Sequence, residues 1–347
     1  MIINYFKTAF RNFYRQKGYS FINIAGLAIG FASFILIMLF ILNEFSYDKF
    51  HKDHERIYRI AVKGRMSGDF FDVAVSPAPL APALKTEFPD VEEATRIRRT
   101  FQTTFFIHDE KKYYERGLLF ADTGFFKVFS FRTLQGDPER MLKEPFSIVL
   151  TEKTARKYFG EENPLGKILK YNDQHSFTVT GVIRDVPTNS HFSFPMLASW
   201  SSQEEMGANQ MLEQWGSMAY HTYVKLMPQV DTEKFDEKIH DYILSKMIET
   251  SGGSPEDFEG LQMEFIPYLQ PLTSIHLHSN KMAELGTNGD ISYVITFSLV
   301  AVFILIIACI NFMNLTTARS SKRAKEVGIR KVHGAHRMML IRQFLIE

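Results

Sequence analysis

The chain has 347 residues, of which 45% are apolar and 23% are charged, and its net charge is only +1. This balance hides an asymmetry, because basic residues dominate both ends and acidic residues dominate the middle. The only cysteine is Cys309, inside an apolar run, so a disulfide within the chain is excluded and the middle portion must depend on an ordinary hydrophobic core.

The first 20 residues combine regularly spaced aromatic and aliphatic side chains with four basic residues and no acidic one. On a helix the apolar side chains would share one face and the cations would share the other, which is typical of segments that lie along a membrane surface. We therefore expect an amphipathic helix at 1–20 that contacts membrane lipid from the cytoplasmic side. A simple positive anchor that orients the following segment is an equally open interpretation.

Two uncharged apolar runs cover residues 21–42 and 291–315. A helix of about 22 residues is about 33 Å long, enough to cross a hydrocarbon core of about 30 Å. Since backbone groups in lipid must bond to each other, both runs are predicted to be transmembrane helices. The first run is longer than the apolar part of a signal peptide, and no small-residue cleavage site precedes Glu44, so we expect it to be retained.

The distribution of charge predicts the orientation of these helices. The flanks of the two runs carry 12 basic and 2 acidic residues, whereas residues 43–290 carry 28 basic and 37 acidic residues, a net charge of −9. Because Lys and Arg next to a span stay in the cytoplasm, both termini are predicted to be cytoplasmic. Residues 43–290 would then form an extracytoplasmic domain of a multi-pass protein of the inner (cytoplasmic) membrane.

Gly26 and Gly30 give the first run a GxxxG spacing, which allows close packing of two helices. The sequence leaves the packing partner open. It could be the second run of the same chain or a helix of another subunit.

The middle portion reads as an α+β domain in which one subdomain is interrupted by an insertion. A strand, helix and strand pattern occurs before the insertion and again after it. The insertion covers about 117–200 and contains its own helix and strand. The predicted elements are strands at 56–63 and 91–107, a helix at 77–88, a helix at 151–159 opened by Thr151, a strand at 176–184, a strand at 219–226, a helix at 231–246 with Asp231 as N-cap, and a strand at 263–268.

Several sequence blocks resemble a known family. FADTGFFKVFSF at 120–131, SIVLTEKTARKYFGEENPLGK at 147–167 and FTVTGVIRDVP at 177–187 resemble the extracytoplasmic domain of MacB-like and FtsX-like ABC transporter permeases. The block at 319–347, RSSKRAKEVGIRKVHGAHRMMLIRQFLIE, is similar to the cytoplasmic signature of that family. The resemblance implies a porter-like subdomain with an inserted second α+β subdomain.

The same resemblance implies partners. Members of the family work with a cytoplasmic ABC ATPase subunit, and permease units pair as dimers or pseudo-dimers. They have at least four spans, with further helices after the cytoplasmic signature. We therefore expect this chain to come from a truncated gene or to be an N-terminal fragment of a longer permease.

The cytoplasmic segment at 316–347 contains the candidate ATPase-coupling residues. A helix that docks into a cleft needs small residues for close approach and a few charges to fix its orientation. An ordinary basic flank would explain the charges but not the glycines. The candidates are Glu326, Gly328, Arg330, Lys331, Gly334 and Ala335.

Catalytic motifs are not supported. The stretch GEENPLGKI at 160–168 imitates a phosphate-binding loop, but it has five residues between its glycines and Ile168 in place of Ser or Thr, so we expect a turn with an exposed Lys167. The histidine pairs at 51/54 and 276/278 lack a third ligand at a recognisable spacing. We expect no enzymatic activity, no metal or other cofactor and no nucleic acid partner.

The expected function is that of a permease subunit that couples ATP hydrolysis by a separate ATPase to movement of the extracytoplasmic domain. The result would be export of peptides, drugs or lipoproteins, or mechanotransmission to a periplasmic partner. The alternative is a two-span sensor or scaffold with an extracytoplasmic ligand-binding domain. A sensor would need a signalling module after the second apolar run.

Overall fold

The structure is a computed structural model that describes residues 17–66, 68–100, 102–208, 212–251 and 264–334. The chain divides into two compact units. One contains both ends of the chain, up to Phe45 and from Ile291, and the other is formed by Ser46–Asp290. Most of the amphipathic helix predicted at 1–20 lies outside the described residues.

The described helices are α1 (Lys17–Glu44), α2 (Leu80–Glu87), α3 (Phe125–Val128), α4 (Glu152–Phe159), α5 (Ser201–Glu205), α6 (Thr232–Ser251), α7 (Ile275–His278) and α8 (Ile291–Val332). Helices α1 and α8 belong to the first unit, and the other described helices belong to the second unit. The described strands are β1 (Ile57–Met66), β2 (Asp69–Val73), β3 (Ser76–Pro77), β4 (Val91–Arg99), β5 (Thr104–His108), β6 (Lys111–Glu115), β7 (Leu119–Ala121), β8 (Thr133–Gln135), β9 (Ser147–Thr151), β10 (Ile168–Tyr171), β11 (His175–Ile183), β12 (Met196–Ser199), β13 (Met218–Leu226) and β14 (Glu264–Pro271).

Helices α1 and α8 contain the two stretches that are long and apolar enough to cross a membrane, at Ile24–Glu44 and Ile291–Asn314. Only 11% and 17% of the residues in their most apolar windows are buried. A core helix of a soluble protein would bury most of that surface, whereas lipid-facing helices leave it exposed. The two helices pack against each other in antiparallel directions, and α8 buries Val294, Ala301 and Ala308 at seven-residue intervals.

The second unit is built on one mixed sheet. Its strand order is β14-β1-β13-β4-β7-β12-β9-β11-β10-β5-β6, with β2 paired to β1, β3 to β13 and β8 to β11. Most neighbours are antiparallel, but β9 with β11 and β7 with β12 are parallel. The architecture is therefore α+β, with short helices packed on a long sheet, as the fold class predicted from the sequence requires.

Three apolar clusters hold this sheet. Helices α2 and α6 cover the end that contains β14 and β1, through residues such as Leu84 and Ile239. Helix α4 covers β10 and β11 through Tyr158 and Phe159. The third cluster, rich in phenylalanine, lies on the other face of the sheet, because it takes alternate residues of the same strands, such as Leu119 and Val149. Its members include Phe129 and pack edge to face.

Several sequence predictions are confirmed at residue level. Helix α4 begins directly after Thr151, whose hydroxyl accepts a hydrogen bond from the Thr154 backbone N–H. Helix α6 begins after Asp231, whose carboxylate accepts from the Lys234 N–H. The stretch at 160–168 is a turn between α4 and β10, in which the exposed Lys167 pairs with Glu162 at 3.0 Å.

The inserted strands extend further than the sequence indicates. Strands β5 and β6 form a hairpin at 104–115, which precedes the expected start of the insertion at about 117. The hairpin pairs with β10, whereas β4 pairs with β13. The chain therefore crosses to the far end of the sheet soon after Arg99, because β5 has its long-range partner there.

Candidate functional site

A buried polar cluster joins the two segments that connect the extracytoplasmic domain to its helices. The first linker, residues 46–51, directly follows α1, and the second linker, residues 279–290, directly precedes α8. Both belong to the second unit. The cluster consists of Asp48 from the first linker, Glu284 from the second, Arg59 on β1, Tyr223 on β13 and His191 in the loop before β12.

The first linker is fixed by the loop that contains Asn189 and His191. The Asp48 backbone N–H donates to the Asn189 carbonyl oxygen at 2.9 Å, and the Asn189 side-chain amide donates to both oxygens of Ser46. The Asp48 carboxylate in turn accepts from the His191 backbone N–H at 3.2 Å. Asp48 itself has a positive φ of 59°, a backbone conformation that Asp tolerates better than most residues.

The second linker is fixed by Arg59. The guanidinium is fully buried, pairs with the Glu284 carboxylate at 2.5 Å, and also donates to Gln270 and Ser279. The Ser279 hydroxyl donates to the same carboxylate. The Arg59 Nε–H has no hydrogen-bond partner among the described residues, but the two terminal nitrogens donate to these acceptors and hold Glu284 and Ser279 against β1.

His191 connects the two halves of the cluster. Its Nε2 atom lies 2.8 Å from the Tyr223 hydroxyl, and its Nδ1 atom lies 2.9 Å from the Asp48 carboxylate. The carboxylate lies off the direction of the Nδ1–H bond, so this second contact is electrostatic rather than a linear hydrogen bond. Gly286 of the second linker packs on the His191 carbonyl so closely that a Cβ atom there would collide with it.

The ionisation of the cluster follows from these contacts. Burial alone would raise the pKa of Asp48, but the adjacent His191 outweighs this effect and the pKa is lowered. Burial alone would also raise the pKa of Glu284, and the hydrogen bond and charge of Arg59 lower it instead. Burial raises the pKa of Tyr223, so the phenol stays neutral. The cluster therefore contains fixed opposite charges that water does not screen.

Two aromatic contacts strengthen the same region. Tyr47 of the first linker stacks flat on His276 of α7, with ring centroids 3.3 Å apart. His51 packs among phenylalanines and accepts a hydrogen bond from the Ser130 N–H at 3.0 Å. Both histidines, which the sequence expected to be packed or solvated, are buried. The linkers thus contact the domain interior through polar and aromatic groups along most of their length.

This arrangement is suited to transmitting displacement. A linker held only by apolar contacts can slide, whereas directional hydrogen bonds and a buried ion pair have one geometry and resist displacement. A shift of the chain at Ser46 or at Asp290 would act directly on β1 and β13, two adjacent strands near one end of the sheet. The cluster is the candidate functional site of the extracytoplasmic domain.

The candidate coupling residues occupy the far end of α8. Helix α8 continues through Glu326, Gly328, Arg330 and Lys331 to Val332, and the side chains of the three charged residues lie outside the described set. Gly328 is exposed, with no atom within 4 Å of the position that a Cβ would take. Gly334 follows the helix with φ 84°, a left-handed conformation typical of helix ends. Ala335 lies outside the described residues.

Gly26 and Gly30 lie against α8 of the same chain. A Cβ atom on Gly26 would be 3.2 Å from the Asn311 amide nitrogen, and one on Gly30 would be 2.8 Å from the Ala308 Cβ. The second distance is too short for any side chain. The absence of a Cβ at position 30 is therefore what allows α1 and α8 to approach each other this closely.

The buried cluster has no signature in the sequence. Its members are separated by up to 236 positions and belong to no local motif. One local signal existed: Arg59 interrupts the otherwise apolar strand IYRIAV, and an arginine at a buried strand position requires a charged partner. The sequence could not show that this partner is Glu284.

Comparison with known proteins identifies two family domains in this chain. Residues 20–242 match the MacB-like periplasmic core domain, and residues 298–347 match the FtsX-like permease C-terminal domain. The chain is 26% identical over 200 residues to the macrolide export ATP-binding/permease protein MacB of Aggregatibacter actinomycetemcomitans, covering 58% of this chain and 27% of MacB. It is 24% identical over 199 residues to the uncharacterized ABC transporter permease YknZ of Bacillus subtilis (strain 168), covering 57% of this chain and 43% of YknZ.

The chain therefore spans about a quarter of the length of the MacB proteins it matches. Among solved structures, it resembles the crystal structure of a domain from a Porphyromonas gingivalis protein described as a permease. The two share 28% sequence identity with a TM-score of 0.53, over 64% of this chain and 91% of that domain.

Proposed function

Because this chain belongs to the ABC transporter permeases that have a MacB-like periplasmic core domain and an FtsX-like C-terminal domain, we propose that it transmits movement from a separate cytoplasmic ATPase to its extracytoplasmic domain. The ATPase would close on ATP and push on the end of α8. Helices α1 and α8 would move, and the linkers at 46–51 and 279–290 would carry the displacement into the sheet. The substrate or partner outside the membrane would be a peptide, a drug, a lipoprotein or a periplasmic protein.

The buried cluster is the single observation that carries this proposal. A domain that only bound a ligand would need no rigid connection between its two linkers and its sheet. Here Arg59 on β1 binds Ser279 and Glu284 of the second linker, and Tyr223 on the adjacent β13 reaches Asp48 of the first linker through His191. The proposed sidedness, with both termini in the cytoplasm, is supported by the basic flanks.

Glu326, Gly328, Arg330, Lys331, Gly334 and Ala335 would form the surface that meets the ATPase. Exposed glycines at 328 and 334 offer close approach for a partner backbone. Glu326 and Arg330 are four positions apart on the helix, so they lie on one side of it and can fix the orientation of a docked partner. Dimers or pseudo-dimers of such permease units would place two of these surfaces under one ATPase pair.

The test exchanges the two charges and measures copurification with the ATPase. Glu326→Arg with Arg330→Glu keeps the net charge and the helix length but reverses the order of the charges, and we expect the ATPase to be lost. Helix α4 supplies a matched control, because Glu152 and Arg156 are also four positions apart and form an exposed ion pair at 3.2 Å. Glu152→Arg with Arg156→Glu should leave copurification unchanged.

Unchanged copurification in both variants would reject the coupling surface. If the chain copurified instead with a kinase or another signalling protein, the sensor interpretation would replace the permease mechanism.

A further inference from the structure

The two edge strands of the long sheet, β14 and β6, differ in whether their outward backbone groups are free to bind another strand. Strand β14, at one end, offers no free N–H donor at the outward positions from 267 to 271. Its register with β1 directs the backbone of 267, 269 and 271 away from the sheet. Pro267 and Pro271 have no N–H to offer, and the Leu269 N–H already donates to the Asp236 carboxylate of α6 at 2.7 Å.

Strand β6, at the other end, has an open edge. His108 and Lys111 flank a two-residue loop, so they form a hydrogen-bonded pair and the pairs alternate from there along the hairpin. Phe105 agrees with this pattern, because its backbone bonds to Asn172 on the side away from β6. The backbone groups of Lys112 and Tyr114 therefore point outward, and in the part of the chain that the structure describes no strand pairs with them.

The side chains at this edge leave the backbone accessible. Tyr114 is 64% exposed. Lys112 does not extend past the edge, because its ammonium group lies 3.5 Å from the centroid of the Phe105 ring. Tyr113 points to the opposite face and packs on Tyr158 of α4, which holds the strand in place. The edge is thus a supported, extended strand rather than a loose hairpin.

Two lysines lie on this edge of a domain that is acidic as a whole. Residues 111–116 read KKYYER, and their one acidic side chain, Glu115, is bound by Lys157 at 2.6 Å and by the Tyr158 hydroxyl. The loop before the strand adds Asp109 and Glu110, and Lys170 together with Lys112 lowers the pKa of Asp173. Among the described residues neither Lys111 nor Lys112 forms an ion pair, so an incoming strand would meet two ammonium groups beside two open backbone positions.

We infer that β6 is a docking edge for an extended, acidic segment of a partner protein on the extracytoplasmic side, which adds to the sheet as a further strand. The spacing of the outward groups at Lys112 and Tyr114 matches the two-residue repeat of a strand, and the lysines select for acidic side chains. A second copy of this chain is the competing occupant, and the oligomeric state of the parent protein distinguishes the two. The inference rests on the sidedness in the proposed function but not on coupling to an ATPase.

The experiment uses the full chain in detergent and a fluorescent, end-capped ten-residue peptide of alternating Glu and Val. A second peptide has Lys in place of Glu. Tyr114→Pro removes the outward N–H without removing a bond to β5, and Tyr114→Thr keeps the N–H while removing the ring. We expect the Glu peptide to bind the parent and Tyr114→Thr, and to bind Tyr114→Pro roughly tenfold more weakly or worse.

The role of the two lysines is tested in the same binding assay. Lys111→Glu with Lys112→Glu should reverse the preference, so that the Lys peptide binds better than the Glu peptide. Urea unfolding followed by tryptophan fluorescence shows whether each variant is folded, and binding is compared only between folded variants.

Three results would overturn the inference: equal binding to Tyr114→Pro and Tyr114→Thr, no preference of the parent for the Glu peptide, or a dimer of the parent that Tyr114→Pro abolishes. The last result would assign the edge to a second copy. None of them bears on copurification with the ATPase, so failure here is distinct from failure of the proposed function.

Discussion

His191 and Asp48 face each other in the interior of the extracytoplasmic domain, with Nδ1 and Oδ1 2.9 Å apart and each side chain only 1% exposed. On the opposite side of the ring, Nε2 lies 2.8 Å from the Tyr223 hydroxyl. Both ring nitrogens therefore lie next to oxygen atoms, one from the first linker and one from β13. One histidine thus connects the segment that leaves the first span to a strand of the sheet.

The domain should become less stable as the pH is lowered, because of His51 and His221. Burial lowers the pKa of each to about 3, against about 6.5 in an unfolded chain. The unfolded state therefore binds protons first, and the free energy of unfolding should decrease as pH falls from 6.5 towards 3, by at most about 1.4 kcal/mol per pH unit for each histidine. Below about pH 3 the stability that the two neutral, buried histidines contribute is fully lost.

His51→Asn tests this prediction, because Asn can still accept the hydrogen bond from Ser130 but cannot titrate. The slope of unfolding free energy between pH 6.5 and 4.5 should become shallower by up to about 1.4 kcal/mol per pH unit. The two tryptophans, Trp200 and Trp215, both lie in the 46–290 unit, so tryptophan fluorescence reports on this domain alone. Identical slopes in variant and parent would contradict the assignment of a neutral, buried His51.

The ion pair between Arg59 and Glu284 should be sensitive to loss of one partner. Arg59→Met leaves the Glu284 carboxylate in a largely buried position without its main partner, and we expect a loss of about 3–5 kcal/mol in the free energy of unfolding. Arg59→Met with Glu284→Met removes both charges and should restore part of this loss. The measurement is urea unfolding at pH 7.

Arg56 provides the control for that substitution. It lies three positions away, is 26% exposed, and pairs with Asp53 and Glu92 near the surface. Arg56→Met should cost no more than about 1 kcal/mol. If Arg56→Met and Arg59→Met lowered the free energy of unfolding equally, burial would not explain the effect of losing the Arg59 ion pair.

The contact between α1 and α8 should depend on Gly30. Gly30→Ala places a methyl group where the Ala308 Cβ leaves no room, and we expect a loss of about 1–3 kcal/mol in the stability of the helix pair. Adding Ala308→Gly should recover most of it. Thermal unfolding of the full chain in detergent, followed by helical circular dichroism, checks the result.

Gly18→Ala is the matched control, because nothing lies within 4 Å of the corresponding Cβ position. It should be neutral or slightly stabilising, since Ala is a better helix former than Gly. If Gly30→Ala were equally neutral, α1 and α8 would not pack through this face.

The sidedness of the chain can be tested by cysteine labelling. Cys309 is the only native cysteine, so Cys309→Ala gives a cysteine-free background. We expect a membrane-impermeant maleimide to label Glu162→Cys in intact spheroplasts, and to label Val332→Cys, whose native side chain is 87% exposed, only after the membrane is opened. The reverse pattern would place the acidic domain in the cytosol and remove the basis for the proposed mechanism.

Much of the fold could be predicted because its signals are local. Helix α4 could be placed because Thr151 caps it and apolar residues recur at helical spacing, and both signals lie within nine residues. Apolar runs long enough for two spans are likewise a property of contiguous sequence. The position of the β5 and β6 hairpin could not be predicted, because its partner β10 is about 60 residues away and strand pairing has no short-range signature.

The sequence by itself determined the class of protein, the two apolar helices and the acid-rich middle, because hydrophobic length, charge and helix caps are properties of neighbouring residues. Tertiary structure alone decided which residues hold the linkers to the sheet, and which end of that sheet stays open. Asp48, Arg59, His191, Tyr223 and Glu284 become neighbours only when five distant segments fold together, and a buried charge finds its counter-charge through packing rather than through proximity in sequence.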